Sequence, residues 1–264
     1  MPLFYMPIIC ASPNNVLRIA TTTSVENSGL LKYLLPQFTR HYPYEIKVFA
    51  VGSGKALRMA RTGEADIVLA HSPEAEEKFI NEGYGVNRQE IMKDDYVLAG
   101  SGEDKAGIAD ATGINEVMSR IAESESVFIS RGDDSATHRE ELSLWKNADI
   151  DPFGTDWYVE TGTSMVSSLR TAEEMSAYIL IDRATFLRQH KKEFSILYED
   201  RIKLTSTFNV IAANPKKIKD VNVDAAMNLI NWLTSADGQA TIAGYSHDGQ
   251  QLYRPTRLPP GNTQ

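Results

Sequence analysis

A guanidinium and three hydroxyls fall within one short turn, residues 130–137, which reads Ser-Arg-Gly-Asp-Asp-Ser-Ala-Thr after an apolar run. Glu140 follows Thr137 at capping-box spacing, which predicts a helix N-terminus at Thr137. An arginine beside free backbone N–H groups and hydroxyls at the start of a helix suits a small oxyanion. The types and spacing of these residues therefore predict an anion site around Arg131.

Three further turns rich in serine, threonine or glycine follow predicted strands. They are residues 21–24 (Thr-Thr-Thr-Ser), 52–54 (Gly-Ser-Gly) and 162–164 (Gly-Thr-Ser). Any one of them is explained equally well as a helix N-cap without a ligand, because serine and threonine favour that position. Thr23 with Glu26, for example, fits a second capping box. Four such turns favour a pocket, since open parallel sheets bind ligands at the carboxyl ends of their strands.

The acidic residues of the Arg131 turn leave the charge state of the ligand open. A carboxylate of Asp133 or Asp134 that faced the ligand would repel a fully deprotonated oxyanion. It would accept a hydrogen bond from a protonated one such as hydrogen phosphate. A carboxylate turned towards Arg131 would instead orient the guanidinium. Arg131 could also be a surface residue paired with either acid, so the direction of Asp133 decides between these alternatives.

The elements that must position these turns alternate between strands and helices. Apolar runs predict strands at residues 16–20, 45–51, 66–70, 127–130, 157–160, 177–181, 194–198 and 208–213. Helices are predicted at residues 29–38, 55–61, 74–82, 138–145, 165–175, 184–190, 224–234 and 238–243. This alternation predicts an α/β fold with mainly parallel sheets flanked by helices.

Two segments, residues 95–102 and 204–208, are predicted to cross between two lobes. If both are hinges, the first lobe is discontinuous. The predicted bounds are 16–99 and 207–264 for the first lobe and 100–206 for the second. Two of the four polar turns then belong to each lobe.

Composition narrows the classes of partner. The chain has 264 residues and a net charge of −8, which gives no basic surface for nucleic acid, so an anion site must be local. The sequence has no run of 18 apolar residues, so no membrane span is predicted.

Residues 1–12 carry no charge and resemble the end of a secretory leader, so residues 1–15 are predicted to be a leader remnant or a disordered extension. The proline-containing residues 254–264 are predicted to form an extended tail.

Motifs for catalysis or metal binding are absent from the sequence. Cys10 is the only cysteine and lies in the predicted leader segment, which excludes a disulfide framework and a thiolate metal site. The histidines show no metal-ligand spacing. No zincin, serine-hydrolase or Walker motif occurs. His71, at a strand end, is predicted to make a structural hydrogen bond. No catalytic residue, metal or cofactor is predicted.

The ordered set of motifs resembles the tungstate-binding proteins of ABC importers. The matching segments are residues 21–24, 29–31, 34–38, 50–57, 63–66, 130–138 and 177–185, within a stretch from Val16 to about Tyr253. The resemblance implies a two-lobed periplasmic-binding-protein fold (type II) with the ligand in the cleft between the lobes. It also implies a periplasmic solute-binding component, not an enzyme, that captures tungstate or molybdate for a membrane permease.

The resemblance assigns ligand-binding roles to residues of all four turns. They are Thr22, Ser24, Ser53 and Arg131, together with Ser135, Thr137 and Ser164. The chain departs from the family pattern at Ala136, where a glycine is usual, and at residues 163–165, which replace a glycine-rich turn. The spacing from Arg131 to Thr137 is also similar to that of the phosphate-binding proteins of ABC importers. Phosphate, and sulfate on the same fold, therefore remain alternative ligands.

Two other classes of protein remain as alternatives. An enzyme acting on a phosphorylated or carboxylated metabolite would need a general base or nucleophile in the cleft, and no histidine or lysine is obviously placed for that role. The effector-binding part of a transcription regulator would carry a helix-turn-helix and a basic face, and neither is visible. The chain is therefore predicted to be a monomeric oxyanion-binding protein with no nucleic-acid partner.

Overall fold

A computed structural model describes residues 15–257 of the chain. Residues 1–14 of the predicted leader and residues 258–264 of the predicted tail lie outside the described residues. The strands are β1 Val16–Thr21, β2 Glu45–Ala50, β3 Ile67–Ala70, β4 Gly85–Ser101, β5 Phe128–Ser130, β6 Tyr158–Glu160, β7 Tyr178–Asp182, β8 Phe194–Glu199, β9 Thr205–Ala213, β10 Ser246–His247, β11 Gln250–Gln251 and β12 Arg254–Pro255.

Helices cover the sheet on both sides. They are α1 Thr23–Asn27, α2 Leu30–His41, α3 Ser53–Arg61, α4 Pro73–Asn81, α5 Ile114–Glu123, α6 Ala136–Asn147, α7 Met165–Met175, α8 Arg183–Gln189, α9 Val223–Leu233 and α10 Ala236–Ala243, with a 3₁₀ turn at Ile108–Asp110. The predicted α/β fold class is confirmed, with parallel strands at the centre of each lobe.

The first lobe is built on three parallel strands in the order β2-β1-β3. β9 runs antiparallel to β3 and continues the sheet. The side chains of β9 alternate between two apolar clusters, with Val210 and Ala212 on one face and Ile211 and Ala213 on the other. Because both faces of this sheet are covered by helices, its strands are apolar on both sides.

The second lobe repeats the arrangement with three parallel strands in the order β7-β5-β6. β4 lies antiparallel to β7 on one side and to β8 on the other. Along β4, Tyr96 and Leu98 face one apolar cluster, whereas Val97 and Ala99 face another. The second lobe therefore has a two-sided core of its own.

Strand β4 connects the two lobes. It is 17 residues long and pairs with β9 and β12 through its first part and with β7 and β8 through its last part. The predicted crossing at residues 95–102 thus falls in the second half of one continuous strand, and the crossing at 204–208 falls at the start of β9. The lobe bounds at 99/100 and 206/207 remain a prediction.

Several elements were not predicted from the sequence. The first half of β4, helix α1 and helix α5 were missed. Helix α5 buries Ile114, Val117, Met118 and Ile121, which is the spacing of an amphipathic helix and could have identified it. Residues 254–255 of the predicted tail form β12, which pairs antiparallel with Met92 and Lys93.

Candidate functional site

A polar cleft of about 620 Å³ lies between the two lobes. Its lining includes all seven side chains predicted from the sequence, namely Thr22, Ser24, Ser53, Arg131, Ser135, Thr137 and Ser164. The structure therefore brings four turns that are distant in the sequence to one place. The carboxyl ends of β1, β5 and β6 and the start of helix α3, after β2, supply these turns.

The first turn differs from the predicted capping box. The N-cap of α1 is Thr22 rather than Thr23, because the Thr22 hydroxyl accepts a hydrogen bond from the Val25 N–H at 3.3 Å. The hydroxyl oxygens of Thr22 and Ser24 lie 2.9 Å apart. Thr22 is 3% exposed. The turn thus presents two adjacent hydroxyls at the cleft, and the Thr22 hydroxyl also caps helix α1.

The second turn places Ser53 at the first residue of α3. Gly52 adopts φ 85°, a left-handed region that glycine enters without a steric penalty. The Ser53 hydroxyl lies 3.5 Å from the backbone N–H of His71, at the end of β3. Ser53 is therefore held against the neighbouring strand of the same lobe, with its side chain at the cleft.

Arg131 follows β5 and is 9% exposed. Its guanidinium forms an ion pair with Asp133. The other carboxylate oxygen of Asp133 accepts a hydrogen bond from the Ser135 N–H at 3.2 Å. Both oxygens of Asp133 are thus used within the turn, and the carboxylate orients the guanidinium. The Nε of Arg131 is buried and lacks a hydrogen-bond partner within residues 15–257.

Helix α6 starts two residues earlier than the capping-box prediction required. Its N-cap is Ser135, whose hydroxyl accepts from the His138 N–H at 3.3 Å, and Thr137 lies within the first turn with a buried side chain. The predicted N-cap at Thr137 was wrong because Ser135 takes that position. Asp134, the second acid, accepts two hydrogen bonds of 2.8 Å from Arg139.

The fourth turn carries Ser164 at the N-cap of α7. Its hydroxyl accepts from the Ser167 N–H at 3.3 Å, and the side chain is exposed at the cleft. The preceding Gly162 has φ 62°. The N-terminal ends of α3, α6 and α7 therefore all meet the cleft, and each contributes partial positive charge.

His71 lies at the floor of the cleft and makes the structural contact expected of it. Its Nδ1 lies 2.9 Å from the Ser206 hydroxyl, and its ring stacks on Phe208 with centroids 4.4 Å apart. Burial, and secondarily the charge of Arg131, lower the pKa of His71 to about 4. The imidazole is therefore neutral at physiological pH and adds no charge to the cleft.

Three basic side chains at the cleft were not predicted. Lys55 and Arg58 of α3 and Arg139 of α6 line it and are exposed. Lys55 and Arg58 follow Ser53 by two and five residues, so the sequence contained a basic signal next to the predicted Gly-Ser-Gly turn. These cations counter the net charge of −8 locally. Such exposed charges steer an anion more than they hold it.

The described residues were also compared with what a metal site and a membrane-spanning helix require. Within residues 15–257, no group of three histidine, cysteine or acidic side chains could hold a metal ion. Across the same range, no helix has both the length and the apolar character needed to cross a membrane.

Known tungstate-binding proteins resemble this chain along most of its length, in sequence and in structure. The tungstate-binding protein TupA of Peptoclostridium acidaminophilum is 40% identical over 242 residues, covering 90% of this chain and 84% of the relative. TupA of Campylobacter jejuni is 38% identical over 237 residues, covering 87% of both chains. The solved structure of the tungstate-binding protein TupA from Desulfovibrio alaskensis G20 has a TM-score of 0.83 and 37% identity, covering 91% of this chain and 98% of that chain.

Two lobes joined by crossing strands, with a polar cleft between them, define a two-lobed binding protein of the periplasmic type. Residues 11–237 match the model of the PBP superfamily domain. Within that superfamily, the chain belongs to the family of the TupA tungstate-binding proteins.

Proposed function

We propose that this protein is the solute-binding component of an ABC importer and that it captures a tetrahedral oxyanion, tungstate or molybdate, between its lobes. The observation that carries the proposal is the convergence of Thr22, Ser24, Ser53 and Arg131 on one cleft. The names of the relatives support the same ligand. Ser135, Thr137 and Ser164 complete the proposed ligand set on the second lobe.

The chemistry of the cleft suits a dianion. Burying an anion is costly unless its oxygens are hydrogen-bonded. The four turns offer hydroxyls and backbone N–H groups, and Arg131 is a formal positive charge held in position by Asp133. Helix N-termini add fixed dipoles that need no mobile counter-ion.

The direction of Asp133 favours an unprotonated ligand. Both oxygens of its carboxylate already accept a hydrogen bond within the turn, from Arg131 and from the Ser135 N–H, so the carboxylate orients the guanidinium and needs no proton from the ligand to satisfy it. Asp134 is engaged with Arg139. Tungstate, molybdate and sulfate carry no proton near neutral pH, whereas phosphate does. The geometry therefore supports tungstate, molybdate and sulfate over phosphate.

The proposed cycle involves binding without chemistry. The open lobes take up the anion, the hydroxyls and amides replace its hydration shell, and rotation about β4 and β9 closes the cleft. A membrane permease would distinguish the closed form from the open one. The proposed location is the periplasm, the proposed state is a monomer, and no nucleic-acid partner is proposed for a chain of net charge −8.

The decisive experiment is calorimetric titration of the full chain with tungstate, molybdate, sulfate and phosphate. We expect submicromolar binding of tungstate or molybdate and no response to phosphate. Binding of phosphate alone would refute the assignment. Binding of none of the four anions would refute an oxyanion carrier of any kind.

A further inference from the structure

Two carboxyl groups are buried together where β4 passes from one lobe to the other. Asp94 is 2% exposed and Asp182 is 5% exposed. Asp182 pairs with Tyr96 in the antiparallel register of β4 and β7, and Asp94 precedes Tyr96 by two residues. Both carboxyls therefore project from the same face as Tyr96, as diagonal neighbours across the two strands. Diagonal neighbours are about 7–8 Å apart at Cα, within reach of each other's side chains.

The hydrogen bonds of this pair are incomplete. Asp94 Oδ1 accepts from the Asp95 N–H at 2.8 Å, but its Oδ2 is buried and lacks a hydrogen-bond partner in the described part of the chain. Asp182 caps helix α8 by accepting from the Thr185 N–H at 2.9 Å. An ionised carboxylate with an unpaired buried oxygen is costly, and protonation removes that cost.

The ion pairs next to Asp94 are made by Asp95, whose side chain lies on the opposite face of β4. Asp95, adjacent to Asp94, lies 3.7 Å from Arg183 and also pairs with Arg254 and Arg201. Within residues 15–257, neither Asp94 nor Asp182 has an ion-pair partner of its own. The charged and titratable groups around the pair are Asp95, Tyr96, Arg183, Tyr253, Arg254, Arg131 and, through Ser206, His71.

The surroundings of the two acids shift their pKa values to different extents. Burial, and then the neighbouring Asp182, raise the pKa of Asp94 well above its ordinary value. Burial also raises the pKa of Asp182, whereas its hydrogen bonds with Thr185 and, after them, the positive charge of Arg131 lower it. Arg131 follows β5, which runs parallel beside β7 with Ile129 opposite Ile179, so Arg131 and Asp182 lie at neighbouring strand ends. Asp94 therefore holds a proton more firmly, and Asp182 is the acid that responds to charge at the ligand site.

We propose that Asp94 and Asp182 form a proton-binding pair in the hinge and that the pair takes up a further fraction of a proton when a dianion binds beside Arg131. This inference rests on the proposed function. A bound dianion offsets the positive charge of Arg131, which lowers the pKa of Asp182, so the proton affinity of the pair rises. By linkage, the anion binds more tightly as the pH falls, with a change in Kd of up to about tenfold per pH unit for each proton taken up.

The test is calorimetric titration with tungstate at about pH 6 and about pH 8, in buffers of different ionisation enthalpy, which gives the number of protons taken up. For the native protein, we expect uptake and a lower Kd at the lower pH. D94N keeps the shape of the side chain but cannot ionise. Because Asp94 already holds its proton in the native protein, we expect D94N to keep the native Kd and the native proton uptake at both pH values.

Three further variants separate the alternatives. D110N changes an exposed acid on the 3₁₀ turn and is expected to behave as the native protein. H71Q removes a second group whose pKa is lowered by Arg131, and proton uptake should survive in it. D182N retains a helix cap, since asparagine caps as well as aspartate, but cannot take up a proton, so proton uptake should be lost in it.

The outcomes distinguish this inference from the proposed function. Tungstate binding without proton uptake in the native protein, or with uptake unchanged in D182N, would overturn the proton-binding pair and leave the oxyanion carrier intact. Absence of tungstate binding would overturn the carrier. In that case, carbon-13 NMR of labelled aspartate carboxyls still decides whether Asp94 is protonated near neutral pH, and an ionised Asp94 would refute the pair by itself.

Discussion

The side chain of Glu160 fills the space beside Gly132. A Cβ at Gly132 would lie 2.8 Å from the Glu160 Cβ, and Gly132 has φ 58°. The end of β6 thus packs against the turn that holds Arg131. This contact requires a glycine for two reasons, the left-handed backbone and the close approach.

Gly132→Ala is therefore expected to weaken anion binding as well as stability. We expect a loss of about 1 kcal/mol or more in the free energy of unfolding from the backbone conformation, and a clear rise in the Kd for tungstate, because the turn must shift. Chemical denaturation and calorimetry measure the two effects. Gly154→Ala is the matched control, since Gly154 also has positive φ, at 78°, but has open space around it. It should lose stability and keep its Kd.

Arg131→Ala should weaken tungstate binding by about 1.5–3 kcal/mol or more, the range for loss of a charged hydrogen bond. The variant also leaves the carboxylate of Asp133 without its ion-pair partner. Arg131→Lys keeps the charge but loses the forked donor geometry, and should bind with intermediate affinity. Arg170→Ala, on the exposed side of α7, serves as the control. An unchanged Kd in Arg131→Ala would remove Arg131 from the ligand set.

His71 should make the protein less stable in mild acid. The pKa of His71 falls from 6.5 to about 4 on folding because the ring is buried and lies near Arg131. The unfolded chain therefore binds a proton at this residue below about pH 6.5, and the free energy of unfolding falls by up to about 1.4 kcal/mol per pH unit down to about pH 4. Denaturation at several pH values should show a shallower fall in His71→Gln. The exposed His41→Gln should leave the slope unchanged.

Glu141 should make the protein less stable as the pH rises, which is the opposite of the effect of His71. Burial raises the pKa of Glu141 from 4.5 to about 7, although hydrogen bonds from Tyr158 and Trp145 reduce the shift. Its stabilising contribution is complete below about pH 4.5 and is lost as the pH rises through about 7. Glu141→Gln keeps the acceptor for the Tyr158 hydroxyl, at 2.7 Å, and should abolish this loss. The exposed Glu123→Gln is the control. An unaltered pH profile in Glu141→Gln would contradict the raised pKa.

The strands and the polar turns could be predicted from the sequence because their signals are local. Apolar runs such as residues 66–70 end at polar residues, and this pattern locates a strand end without knowledge of the fold. The cap positions could not be assigned in the same way. Thr22 and Thr23, or Ser135 and Thr137, are chemically interchangeable as caps, and only the backbone path selects Thr22 and Ser135.

The contacts between distant segments also could not be predicted from local sequence patterns. The direction of Asp133 depends on the Ser135 N–H and on the conformation of the turn. The position of His71 depends on Ser206, which lies 135 residues further along the chain. The hinge pair of Asp94 and Asp182 is created by strand register. Such relationships follow from the arrangement of the sheet, and no sequence window contains both partners.

The position of β9 has a consequence for biosynthesis. β3 has β1 on one side and β9 on the other, and β9 ends at Ala213. While the ribosome is still making the second lobe, the nascent first lobe has an unpaired edge at β3 and lacks the apolar side chains of β9 that fill both of its cores. An open, apolar edge of this kind invites pairing with other chains. The amino-terminal segment therefore cannot complete its native sheet until β9, in the last quarter of the chain, has been synthesised.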